Sequence, residues 1–101
     1  MKDLHQIITE YALRAISDDY EDFERVLKDV SGWTAERGIT VDRQAVVKAL
    51  EGLISDGCAQ AYLLSAKAEP VDYSADRVDE VWFYVTSKGK ELAGQFREKW
   101  R

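Results

Sequence analysis

The apolar residues of this chain change their spacing at Gly57, and that change limits the folds open to it. Ahead of Gly57 they recur three and four residues apart, the interval of helices with one buried stripe. Behind it, Cys58-Ala59-Gln60-Ala61-Tyr62-Leu63-Leu64-Ser65 and Val81-Trp82-Phe83-Tyr84-Val85-Thr86 carry the period of two that strands require, the second rich in aromatic and branched residues. Neither an all-helical bundle nor an all-β barrel accommodates both halves. With 101 residues there is room for one core only, so 1–101 is expected to form a single α+β domain.

Leu4, Ile7, Ile8, Tyr11, Ala12, Ala15 and Ile16 define the first helix, opened by Asp3 with Gln6 as its reciprocating partner. Leu13 falls off that stripe and is expected at the surface or against a partner. Ser17-Asp18-Asp19 is expected to stop this helix and cap a second one, which Tyr20, Phe23, Val26, Leu27 and Val30 mark and Gly32 ends. Thr34 reads as the cap of a single turn closing at Gly38, with Trp33 tucked beneath it, and Ile39-Thr40-Val41 as a short strand. A third helix is expected at about 42–56; winding at about 100° per residue gathers Val46, Ala49, Leu50, Leu53 and Ile54 on one side and Gln44, Lys48, Glu51 and Ser55 on the other. Residues 66–80 contain the only proline and read as a long hairpin loop, within which Glu69 to Asp79 is the internal segment expected to be least protected from hydrogen exchange. Tyr62, Trp82, Phe83 and Tyr84 are expected mainly in the core. Thr86 or Ser87 then caps a last helix in which Leu92, Ala93, Phe96 and Trp100 share a side.

Composition removes several function classes. A 46% hydrophobic and 11% aromatic chain can bury a core and is not a disordered tail. No apolar run approaches the ~20 residues of a membrane span, and the start of the chain is helical rather than a signal-peptide core, so a cytoplasmic protein without membrane contact is expected. One cysteine and one histidine are too few for a closed zinc site, and no cofactor is expected. His5 reads as an exposed first-turn residue and Cys58 as a buried small hydrophobe. Gly52 and Gly57 have phosphate-loop spacing, but Cys58 stands where the lysine belongs, so an enzyme is not expected. The net charge is −5, unevenly spread: five of residues 18–24 are acids, whereas 86–101 carry a surplus of three cations. The acids read as the solvated face and first turn of a helix.

The stretch Val46-Val47-Lys48-Ala49-Leu50-Glu51-Gly52-Leu53-Ile54-Ser55-Asp56-Gly57-Cys58-Ala59 resembles the passage that closes the recognition helix in PadR-like and MarR-like bacterial regulators. Phe83-Tyr84-Val85-Thr86-Ser87-Lys88-Gly89-Lys90-Glu91-Leu92 is similar to their second wing strand, which enters the last helix through a Thr-x-x-Gly turn. The resemblance implies a winged helix-turn-helix: a three-helix core, a β-hairpin wing at 66–80 and a C-terminal helix. It implies a transcriptional regulator that binds double-stranded DNA. In that reading Arg43 contacts guanine or phosphate, Gln44 pairs with adenine, Lys48 contacts phosphate, and Lys67 and Arg77 are wing contacts. The competing expectation is a winged-helix module that binds protein and no DNA, since Asp42, Glu51 and Asp56 oppose the third helix's cations and Glu69, Asp72, Asp76 and Asp79 oppose those of the loop. Leu13, Phe96 and Trp100 suggest a homodimer through the first and last helices.

Overall fold

Three helices of this protein start on an aspartate. In the computed structural model, which describes residues 3–64 and 67–99 (side chains to 96 in the last helix), Asp3, Asp22 and Asp42 are extended. Each carboxylate accepts the amide hydrogen three residues on, from Gln6, Arg25 and Ala45 at 2.8, 2.9 and 2.8 Å. Each thereby satisfies one backbone donor that the first helical turn leaves open. The helices so opened are α1 (Leu4–Ala15), α2 (Phe23–Ala35) and α3 (Arg43–Ser55). The second cap is therefore Asp22 and not Ser17, Asp18 or Asp19.

Two glycines turn the chain out of α2 and α3. Gly38 and Gly57 take positive φ of 73° and 77°, a region costly for any residue with a Cβ. At the second of these, Gly57 N–H donates to the Ile54 carbonyl at 3.0 Å and Cys58 N–H to that of Leu53 at 2.8 Å, the paired bonds of a Schellman stop. The chain then enters β2 (Ala59–Leu64), which pairs antiparallel with β3 (Ala68–Val71) and with β4 (Trp82–Val85); the two-residue β1 (Glu21–Asp22) pairs with the far side of β4. The sheet order is β1-β4-β2-β3, and α4 (Ser87–Lys99) follows. Thr86 caps α4: its hydroxyl accepts the Gly89 amide at 3.1 Å and donates to the Gly57 carbonyl at 2.6 Å. The described residues form an α+β arrangement of four α-helices and a four-stranded antiparallel sheet, compatible with the winged-helix class.

The core lies between the three helices and one face of the sheet. Val46, Ala49, Leu50 and Leu53 of α3 are buried as expected, joined by Val47. They meet Ile8 and Ala12 of α1, Val26 and Val30 of α2, and Ala61, Phe83 and Val85 of the sheet in one cluster.

Several expectations fail for physical reasons. Leu13 is 0% exposed, because α1 packs against α2, α3 and α4 and so buries more than one stripe. Helix α2 continues through the exposed Gly32, with Trp33 and Thr34 inside it. Thr34 is buried and returns its hydroxyl hydrogen to the Val30 carbonyl at 2.9 Å, so it caps nothing. Residues 39–41 alternate without a neighbouring strand and form none. The long loop is partly structured, since Ala68–Val71 extends β2's hairpin and a 3-10 turn spans Ala75–Arg77. Protection from exchange is accordingly expected to begin at β3 and fall to its minimum after it, at 72–76. The start of that loop at residue 66, and Trp100, lie outside the described residues.

Candidate interaction surfaces

Arg43, one of the expected DNA contacts, stands at the first turn of α3. Its guanidinium is already engaged. Nη2 lies 2.6 Å from Asp79 Oδ2, Nη1 lies 3.6 Å from Glu24 Oε1, and the group sits 4.6 Å from the centroid of the Phe23 ring. One side chain thus ties α3 to the start of α2 and to the segment before β4. Arg77 is likewise paired, Nε to Glu80 Oε2 at 3.2 Å. Beside it Asp76 accepts the Ser74 hydroxyl hydrogen at 2.6 Å, a bond that holds its carboxyl below the usual carboxylate range.

Gln44 and Lys48 are exposed and have no hydrogen-bond or ion-pair partner among the described residues. They line one wall of a shallow groove whose other wall is Leu4, His5 and Ile8 of α1. Leu4 is 47% exposed there, an apolar neighbour poorly suited to a phosphate backbone. Lys67 is exposed at the tip of the β2–β3 hairpin. Of the five residues expected to contact DNA, the structure therefore joins Gln44 to Lys48 in one groove and holds Arg43 and Arg77 in ion pairs.

A second cleft lies between the last turn of α3 and the segment after β3, lined by Glu51, Ile54, Ser55, Tyr73, Ser74 and Ala75. The Tyr73 hydroxyl is buried and has no hydrogen-bond partner among the described residues. Burial, and then the negative charges of Glu51 and Asp76, push its phenol up to about 12. An ordinary tyrosine titrates near ~10. Because the folded-state value is raised, Tyr73 contributes stability that is fully present below pH ~10 and is lost as pH rises through about 12. Burial also raises the Tyr62 phenol, so absorbance titration is expected to show a late component that Tyr73→Phe diminishes, and that variant should unfold at higher pH in alkaline melts. A wild-type curve with no late component contradicts the assignment.

The strand aromatics divide between two faces. Phe83 and Val85 of β4 and Ala59 and Ala61 of β2 point into the core; Trp82, Tyr84, Gln60 and Tyr62 alternate with them on the other face and are half-buried, Tyr84 still packing against the core cluster. Phe83 meets the expectation of a core position, Tyr84 meets it in part, and Tyr62 and Trp82 do not. Register sets Tyr62 beside Trp82 and Gln60 beside Tyr84. Tyr20, just before β1, completes the group, its ring 5.0 Å from that of Tyr62 and 4.7 Å from that of Tyr84. The alternation of β4 is the signal that separates Phe83 from its neighbours. Nothing local marks Tyr20, because its place depends on β1.

The dimer expected through the first and last helices loses Leu13 as a contact, and Phe96 is half-buried against the core. No helix among the described residues is long and apolar enough to cross a membrane. Comparison of the chain with protein-family models, with curated proteins and with solved structures finds no match.

Proposed function

We propose that this chain is a winged-helix module that binds a protein partner rather than duplex DNA. The winged-helix part rests on element order: helix, short strand and two helices precede a hairpin, with β4 seated between β1 and β2. The choice of partner rests on Arg43, held between Asp79 and Glu24. Non-specific DNA affinity comes from cations that displace counterions from phosphates, so an arginine neutralised by two carboxylates contributes little to it. A net charge of −5 adds a repelling field.

The DNA-binding regulator is the second reading. It is favoured by the exposure of Gln44 and Lys48 in the N-terminal half of α3, where base readers sit in helix-turn-helix proteins. Titrating a labelled mixed-sequence duplex at low and at physiological salt separates the two. No binding is expected at either. Sequence-selective binding that Lys48→Glu abolishes would establish the regulator instead.

A further inference from the structure

The face of the sheet turned away from the helices is more aromatic than a solvated face needs to be. Tyr62 and Trp82 stand side by side there, with Tyr84 one row along and Tyr20 packed against two of the tyrosines. The same face continues to Leu64, 39% exposed, and to the exposed Pro70 opposite Tyr62. Its border is acidic. Asp18 and Asp19 precede Tyr20 and are exposed, Asp22 lies in the same row as Trp82, and exposed Asp72 follows β3. At the β1 edge Glu21 is raised above its ordinary value by burial first, with Asp29, Asp19 and Asp22 adding to the rise against Arg25. The negative field at that edge is therefore only partly relieved from within. Among the described residues the cation seated on these rings is Lys90, 5.5 Å from the Tyr84 centroid.

We propose that this aromatic face, with its carboxylate border, docks a basic, arginine-bearing segment of a partner protein. A guanidinium stacks on aromatic faces and pairs with carboxylates at once, which matches both features of the surface. The chain does both with Arg43, 4.6 Å from the Phe23 centroid and paired to Asp79 and Glu24, and also places Arg14 4.3 Å from the Trp33 centroid. Phosphate is repelled by the same border. The proposal names the surface and the partner chemistry for the protein-binding reading above, and rests on it.

The test uses the full chain and a synthetic peptide of alternating arginine and glycine, followed by amide and indole chemical shifts. Shifts are expected to concentrate on Gln60, Tyr62, Trp82 and Tyr84. Asp18→Asn with Asp19→Asn is expected to weaken binding about tenfold, as is Trp82→Leu, within the range of an ion-pairing or cation–π contact. Glu36→Gln with Glu51→Gln removes the same charge elsewhere and should leave affinity within about twofold, since distant exposed charges are screened. A peptide with lysine for arginine should bind more weakly. Equal loss in the Glu36/Glu51 control, shifts confined to the groove between α1 and α3, or no shifts at millimolar peptide would overturn the proposal. So would concentration-dependent shifts on the same residues without peptide, which assign the face to a second copy. Failure here with no duplex binding leaves the protein-binding reading standing; tight duplex binding removes that reading whatever the peptide does.

Discussion

Replacing Gly89 by alanine is expected to be the most damaging small substitution in the protein. A Cβ at that position would lie 2.0 Å from the Cys58 carbonyl oxygen and 2.5 Å from Val85 Cγ2. Neither neighbour can yield cheaply. The Cys58 carbonyl already accepts the Thr86 amide hydrogen at 3.0 Å, and Val85 is a core residue of β4. Helix α4 would have to lift from the start of β2, straining the Thr86 cap and the bond from Lys88 Nζ to the Asp56 carbonyl at 2.6 Å. Overpacking typically costs ~1–3 kcal/mol and a lost cap about 1 more, so a loss of about 2–4 kcal/mol is expected. At ~4–8 °C per kcal/mol for a domain of this size, the melting temperature should fall by roughly 8–32 °C. Gly94 in the same helix has nothing within 4 Å of a built Cβ. There the change to alanine should be neutral or stabilising by up to ~1 kcal/mol, through helix propensity alone. Melts of opposite sign support the docking of α4; a wild-type melt for Gly89→Ala contradicts it.

Truncating Phe83 is expected to cost about 3–5 kcal/mol, the range for emptying a buried aromatic site. The ring is fully buried on β4, which is paired on both sides, and meets Tyr73 at 5.6 Å and 68°. Few of its neighbours can move in to fill the cavity, because strands hold them on both flanks. Trp82→Ala, one residue away on the opposite face, should cost distinctly less, because Trp82 is only half-buried. Chemical denaturation of the two variants measures the difference. Equal losses would mean that the outward face is as closely packed as the core.

What the sequence discloses is whatever is local. α1, α3, the two central strands β2 and β4, and α4 follow from periodicity, caps and the glycine stop at Gly57, all encoded within a few residues of where they act. The Thr-x-x-Gly turn at 86–89 was legible as a motif, although its reason, the close approach of Gly89 to Cys58, is not local. β1 escapes notice because Glu21 and Asp22 have no strand propensity and pair only because β4 lies beside them. β3 is hidden by Pro70, which is tolerated because among the described residues this strand is the edge of the sheet. Leu13 was misplaced because a single-stripe winding assumes one neighbour, and α1 has several. For the candidate contacts, Gln44 and Lys48 kept the exposure their helical face implies. Arg43 did not remain free, and Asp79, 36 residues away, is a partner that no pattern along the chain could supply.

The preference for a protein over duplex DNA turns on that pair. Glu24→Gln with Asp79→Asn releases Arg43 while preserving side-chain shape, so a low-salt titration of one mixed-sequence duplex with the wild type and this variant tests it directly. The wild type is expected to show no binding, and the variant to gain weak, salt-sensitive binding as a released cation becomes available to phosphate. Tight binding by the wild type would contradict the account.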